Sequence, residues 1–76
     1  MTYTFIGKDP ESDVNGCPAV WVDDNRRLLV QGLRAGEDAQ ARTAADSPRA
    51  EDETLIVLES RMIPLLKEAI RVAESG

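Results

Sequence analysis

The sequence predicts a small α+β domain in which an antiparallel sheet of three to four strands is packed by one C-terminal amphipathic helix. Three observations predict it: a hairpin pattern at residues 17–33, β-prone runs before and after that hairpin, and a helical apolar periodicity at residues 61–74. Strands followed by a helix are typical of α+β folds. Because 76 residues suffice for only one hydrophobic core, we expect a single domain over residues 1–76.

The first element is a short strand over residues 2–6. Tyr3 and Phe5 alternate with other residues there, and a period of two places both aromatic side chains on one face of a strand. Residues 7–16 are then rich in Asp, Asn, Pro and Gly, which favour turns. We expect a loop over that stretch.

The central hairpin consists of two β-prone runs around the polar residues 23–26. A two-residue tip at Asp24 and Asn25 would pair Trp21 with Leu28. This register predicts one face with Ala19, Trp21, Leu28 and Val30, and a second face with Val20, Val22, Leu29 and Leu33 beside Arg27 and Gln31. Both faces are therefore expected to be substantially apolar.

Residues 35–53 form a polar, alanine-rich connection with almost no large apolar side chains. Alanine is the best helix former, so we expect part of this connection, residues 37–45, to be helical, with a stop at Ser47-Pro48. Residues 54–58 form a third β-prone run. The connection is long enough for this run to return antiparallel or to cross over.

The C-terminal helix is expected over residues 61–74, with Ser60 as its N-cap. Apolar residues recur there at spacings of three and four, whereas charged residues occupy the opposite side. The side predicted to pack on the sheet carries Met62, Leu65, Leu66, Ala69, Ile70 and Ala73.

The charge and hydropathy of the chain exclude several classes of function. Nine Lys and Arg against 14 Asp and Glu give a net charge of -5, which repels a phosphate backbone, so we expect no direct nucleic-acid binding. The longest apolar stretches are far shorter than the roughly 20 residues of a membrane-spanning helix, and the first residues lack the pattern of a secretion signal. We therefore expect a cytoplasmic protein without membrane association.

The sequence shows no group of residues typical of an active site. It contains no His and one Cys, whereas an enzyme needs a nucleophile, a base or a metal held by several groups. We expect no enzymatic activity and no cofactor, and we interpret Cys17 as a small packed strand residue. Residues 11–16 resemble the start of a calcium loop, but Val22 stands where the bidentate acid is needed, so we expect no metal site.

Trp21 is the largest apolar side chain, and we favour a core position for it over an interface position, because large aromatic residues are mostly buried. One helix covers only one face of a sheet, however, and an apolar face that stays exposed usually marks a binding surface. The candidate partner-binding residues at such a face are Trp21, Arg27, Gln31, Leu33 and Arg34.

Four segments of the sequence are distinctive: Gly7-Lys8-Asp9-Pro10, Cys-Pro-Ala-Val-Trp-Val-Asp at 17–23, Val30-Gln31-Gly32 and Arg61-Met62-Ile63-Pro64-Leu65. Through them the chain resembles a group of small uncharacterised actinobacterial (Streptomyces-type) proteins that are encoded beside helix-turn-helix regulators. The resemblance covers most of the chain except residues 35–53. In that group an aromatic residue, often Trp, commonly follows Gln-Gly, where this chain has Leu33. The resemblance implies a developmental or regulatory accessory role with a protein partner, and it supplies no catalytic residues.

These observations lead to one main hypothesis and three alternatives. The main hypothesis is a non-enzymatic regulatory or accessory protein that binds another protein, namely a helix-turn-helix transcription regulator, with the acidic surface steering association with a basic domain. A small-ligand or metal-binding sensor and an antitoxin-like neutralising protein are the alternatives in function. A homodimer is the alternative explanation for the second apolar face.

Overall fold

The computed structural model describes residues 1–11 and 16–75 and confirms the predicted α+β fold. Its main sheet has three antiparallel strands in the order β1-β2-β3, and a second sheet has two strands, β4 and β5. In chain order the elements are β1 (Tyr3–Lys8), β2 (Ala19–Asp23), β3 (Leu28–Gln31), β4 (Leu33–Arg34), α1 (Glu37–Ala44), β5 (Ile56–Val57), a 3₁₀ turn (Ser60–Met62) and α2 (Ile63–Ser75).

Strand β1 continues two residues beyond the predicted end at Ile6. A bulge between Phe5 and Gly7 lets the strand stay paired with β2 to Lys8. A Cβ atom on Gly7 would lie 2.7 Å from Leu65 Cδ2, so the strand approaches α2 more closely than a side chain permits. The predicted loop thus begins at Asp9, and its residues 12–15 lie outside the described residues.

The hairpin between β2 and β3 is confirmed, but its predicted register is wrong by one residue. Trp21 is paired with Leu29, not Leu28. The tip has three residues, and the last of them, Arg26, adopts a left-handed φ of 62°. The Asp23 carboxylate fixes this tip because Oδ1 accepts hydrogen bonds from the backbone N–H groups of Asn25 and Arg27, both at 2.9 Å.

The one-residue shift changes which side chains share a face. Val20 now faces Val30, and Val22 faces Leu28, on the side of the sheet that α2 covers. Leu29 moves to the opposite side, with Trp21. The face compositions that the two-residue tip predicted are therefore wrong.

The third β-prone run returns antiparallel, and it does so in a separate sheet. Leu33 is paired with Val57, and Arg34 with Ile56. Gly32 separates β3 from β4 at a crowded point, where an added Cβ would lie 2.8 Å from Leu58 Cδ2. Leu33 consequently leaves the main sheet, and its predicted place on the sheet face that carries Val20 and Val22 is wrong.

The polar connection contains the expected short helix, α1. None of its eight residues is buried, and Arg42 Nε lies 2.9 Å from Asp38 Oδ1 on its exposed surface. Helices this short are marginal in isolation. The helix is thus a polar element that contributes no residue to the core.

Helix α2 covers one face of the main sheet through an apolar core. The buried members of this core are Val20, Val22, Met62 and Ala69, and the partly buried hydrophobic residues around them are Ile6, Val30, Leu58, Leu65, Leu66, Val72 and Ala73. The predicted packing of Ile70 is wrong, since its side chain is 47% exposed. Each residue turns a helix by about 100°, which carries Ile70 away from the side on which Ala69 lies, whereas Val72 returns to within about 60° of it.

The start of the C-terminal helix also differs from the prediction. A 3₁₀ turn over Ser60–Met62 precedes α2, and Glu59 occupies the cap position without a side-chain capping bond. Ser60 is therefore inside the turn and is not an N-cap. Short 3₁₀ segments of this kind are frequent at helix ends.

An ion pair between the buried Asp9 and the partly exposed Arg61 joins the end of β1 to this 3₁₀ turn. Asp9 is 1% exposed, and Arg61 donates from Nε to both carboxylate oxygens, at 2.9 and 2.8 Å, while Nη2 lies 2.8 Å from Oδ2. The backbone N–H of Glu11 also donates to Oδ1 at 3.0 Å. These bonds, first of all the one from Arg61, hold the pKa of Asp9 below its ordinary value.

Candidate functional site

The main sheet has one covered face and one uncovered face, and the uncovered face is the candidate site. Because side chains alternate along β2, Val20 and Val22 enter the core while Trp21 lies on the other side. Phe5 and Leu29 are paired with Trp21 from the two outer strands. We define the open face by six residues: Tyr3, Phe5, Ala19, Trp21, Leu29 and Gln31.

The aromatic residues of the open face are accessible. Tyr3 is 54% exposed and Phe5 is 55% exposed, and Trp21 is half-buried. The Phe5 and Trp21 rings pack on each other, with centroids 5.7 Å apart and planes tilted by 48°. The core position favoured for Trp21 is therefore wrong: within the described chain, its ring belongs to a surface cluster.

Trp21 separates two shallow concavities of the open face. Tyr3 and Leu29 line one of them together with Trp21. The residues that line the other are Phe5, Lys8, Gly16, Cys17, Ala19, Trp21 and Gln31. In the second, Gln31 Nε2 donates to the Cys17 carbonyl oxygen at 2.5 Å, which holds the end of β3 against the segment before β2. Cys17 itself is buried.

A cation lies at each end of the open face. Lys8 is paired with Ala19, so it lies on the same side of the sheet as the open face, and it lines the second concavity. Arg27 lies at the hairpin end, where its Nε donates to Asp23 Oδ2 at 2.7 Å. The Asp23 side chain is fully buried, whereas that of Arg27 is 66% exposed.

The Asp23 carboxylate accepts hydrogen bonds from residues of the hairpin, and these bonds lower its pKa. The backbone N–H of Arg27 is the main cause of the lowered pKa, with further contributions from the Arg27 side chain and the N–H of Asn25. Its ionised form is thus the one that the fold stabilises. The negative charge of Asp23 is matched locally by the Arg27 guanidinium.

Only some of the residues proposed from the sequence meet at this face. Trp21 and Gln31 belong to it, and Arg27 borders it. Leu33, which is 65% exposed, and Arg34 lie on the second sheet and do not join them.

Sequence reasoning missed Tyr3, Phe5, Leu29 and Lys8 as members or neighbours of the open face. The period of two in β1 did place Tyr3 and Phe5 on one face, but it could not identify that face as the one Trp21 shares. The position of Leu29 depended on the hairpin register. The position of Lys8 depended on the β1 bulge, for which Gly7 is the one signal in the sequence, because a Gly inside a strand often marks a bulge.

Acid is expected to destabilise the domain through Asp9 and Asp23. Both carboxyl groups have a pKa below the ordinary value of 3.8. A group whose pKa is lower in the folded than in the unfolded chain contributes stability above the unfolded pKa, and this contribution is lost as the pH falls through the folded pKa. The melting temperature should therefore fall as the pH drops below 3.8.

The measurement is a series of thermal melts across this pH range for the original chain and for Asp9→Asn and Asp23→Asn. Each variant should be less stable than the original chain at neutral pH. Its melting temperature should fall less on acidification, because the substituted side chain can no longer take up a proton when the chain unfolds. Asp38→Asn is the matched control, since Asp38 lies on the exposed surface of α1. An identical acid dependence in all four proteins would contradict the assignment.

The described residues contain no group of three or more His, Cys, Asp or Glu side chains arranged to hold a metal ion. No helix among them is long and apolar enough to span a membrane. Compared with protein-family models, curated proteins and solved structures, the chain has no match.

Proposed function

We propose that the chain is a non-enzymatic accessory protein that acts by binding another protein, a helix-turn-helix transcription regulator in the cytoplasm, through the open face. The observation that carries this proposal is the aromatic cluster of the open face, where Tyr3 and Phe5 are more than half exposed beside Trp21. Trp and Tyr are enriched among the residues that dominate binding energy at protein interfaces. The resemblance to proteins encoded beside such regulators supplies the kind of partner.

The shape of the open face supports a protein partner. It is a flat sheet surface with shallow concavities, whereas small-molecule sites are typically deep and enclose most of the ligand. The Phe5 and Trp21 rings support each other at 5.7 Å, so they lose little conformational freedom when a partner covers them.

The net charge of the chain supports a partner that is not nucleic acid. A charge of -5 disfavours approach to phosphates and accelerates encounter with a positively charged protein. A basic regulator therefore meets this protein faster than a neutral one does. The accessory role that follows is to control the regulator by direct contact.

The test is binding to a helix-turn-helix regulator of the kind encoded beside the proteins that this chain resembles, comparing Trp21→Ala with Leu33→Ala. Loss of the central aromatic anchor should cost about 2 kcal/mol or more of binding, which is roughly 30-fold in Kd. Leu33→Ala is the matched control, because Leu33 is exposed but lies on the second sheet. Its affinity should stay within about twofold of the original.

Thermal melts separate binding from folding in this experiment. Because Trp21 lies outside the core cluster, Trp21→Ala should keep a cooperative melt. A folded regulator that fails to bind the original chain at micromolar concentrations would refute the proposed function. Equal weakening by the two substitutions would show that the open face is not the contact surface.

A further inference from the structure

We infer that the segment bound by the open face is an amphipathic helix whose apolar side is flanked by acidic residues. This inference rests on the proposed function and names the chemistry of the partner segment. It follows from the hydrogen-bond donors that the open face exposes at both of its ends, although the chain as a whole is negatively charged. The charge of -5 is spread over the molecule, whereas the open face itself is largely apolar. At one end it carries the Lys8 ammonium, and at the other the exposed edge of the Arg27 guanidinium, which is paired with the buried Asp23.

The two ends of the open face expose hydrogen-bond donors, whereas its buried carboxylate is already bonded. Lys8 lines the concavity next to Trp21. Arg27 uses its Nε for Asp23 and leaves most of its guanidinium in solvent, with Nη2 only 3.8 Å from the weak acceptor Met1 Sδ. The Asp23 carboxylate, by contrast, is buried and occupied by three N–H donors. A partner carboxylate thus finds exposed donors at both ends, whereas a partner cation finds a carboxylate that is already bonded.

The spacing of the two cations fits a helix of about three turns. Lys8 lies on β1 beside Ala19, at one end of β2. Arg27 lies beside Asp23, at the other end of β2, where the chain enters the outer strand β3. Four residues along a strand and two strand spacings across it correspond to about 14 Å and 10 Å, or about 17 Å on the diagonal. A helix covers this distance in about 11 residues, and residues 11 apart lie on the same side because they are about three turns apart.

The sheet already accommodates one helix of this kind on its other face. Helix α2 has 13 residues and packs on all three strands of the main sheet. The open face belongs to the same three strands and is therefore wide enough for one helix. Helix-in-groove recognition places apolar anchors on such a surface at helical spacing.

The same charges disfavour a symmetric dimer through this face. A two-fold interface uses the same patch on both copies. Two open faces would bring together two copies of Lys8 and two of Arg27, with no available carboxylate on either face within the described residues. The two Lys8 charges repel each other, and the exposed Arg27 donors find no acceptor on the second copy, so the occupant is a different segment with acidic groups.

The test uses the full chain and two synthetic peptides that contain no Trp. Both form amphipathic helices with the same apolar side, and they differ only in the two flanking residues 11 apart, which are Glu in one peptide and Lys in the other. Trp21 is the single Trp of the chain, so its emission reports directly on the open face. We expect the Glu peptide to bind about 10-fold more tightly at about 20 mM salt, and this difference to shrink at about 500 mM salt as screening increases.

Two charge-reversal variants separate the local charge from the net charge. Lys8→Glu should abolish or invert the preference for the Glu peptide. Lys67→Glu is the matched control, because it changes the net charge by the same amount at an exposed position on α2; its preference should stay as in the original chain. A Pro in the middle of the Glu peptide should remove binding, since it breaks the helix.

The outcomes distinguish this inference from the proposed function. Equal or tighter binding of the Lys peptide, or no response of Trp21 to either peptide up to about 1 mM, a concentration at which only very weak complexes escape detection, would overturn the inference. An equal effect of Lys8→Glu and Lys67→Glu would also overturn it. If the regulator fails to bind while the Glu peptide does, the proposed partner is wrong and the chemistry of the open face stands.

Discussion

Ala69→Asp is expected to unfold the domain, whereas Ile70→Asp, one residue further along α2, should leave the melting temperature almost unchanged. Ala69 is 0% exposed and belongs to the core with Val20 and Met62. An unpaired carboxylate at this position costs at least about 4 kcal/mol. The total stability of a domain of this length is about 4–11 kcal/mol, so this single charge removes from about a third to all of it.

Ile70→Asp is the matched control because it adds the same charge to the same helix. Its side chain is 47% exposed, and the carboxylate can remain in water. We expect a change of at most about 1 kcal/mol, mainly from helix propensity and the helix dipole. Circular dichroism melts of both variants measure the difference. A folded Ala69→Asp together with an unfolded Ile70→Asp would show that α2 is rotated about its axis relative to the described packing.

The two residues also show how far the sequence predicts this helix. The spacing of three and four identified an apolar side and placed Met62 and Ala69 on it, and both are buried. It could not separate Ile70 from Val72, because both lie at the margins of a wide apolar stripe. The sheet decides which margin of the apolar stripe packs, because Val20 and Val22 of that sheet enter the core on the side of Val72.

The hairpin shows a similar limit for the candidate site. Its two strands were evident from composition, but its register depended on whether the tip has two or three residues. The polar residues 23–26 suit either tip, and the Asp23 side chain selects the longer one by accepting from two backbone N–H groups. Because the side-chain period of a strand is two, this single residue decides that Leu29, and not Leu28, joins Trp21.

Arg61→Ala is expected to cause the other large loss of stability. Asp9 and Arg61 are 52 positions apart, and neither stands in a pattern that links a turn residue to the start of a helix, so the pair could not be predicted from the sequence. Removing the guanidinium takes away the cation that pairs with a carboxylate whose own side chain is fully buried in the folded chain. Because the Arg61 side chain is 43% exposed, the cost should lie between that of breaking a surface pair and that of breaking a fully buried pair.

We expect Arg61→Ala to lower the melting temperature by about 5 °C or more. Arg42→Ala is the matched control, because the pair between Arg42 and Asp38 is exposed on both sides and should contribute little. Comparable small changes in both variants would show that Asp9 does not depend on Arg61.

A second substitution tests the cause of the loss. Asp9→Asn in the Arg61→Ala background should restore part of the stability, because a neutral amide costs less to bury than a carboxylate. In the original background the same Asp9→Asn should be destabilising, since it removes a charge that Arg61 holds at 2.8 Å. Opposite signs in the two backgrounds are the signature of a coupled pair. The same sign in both would mean that Arg61 stabilises the fold by packing its stem and not by its charge.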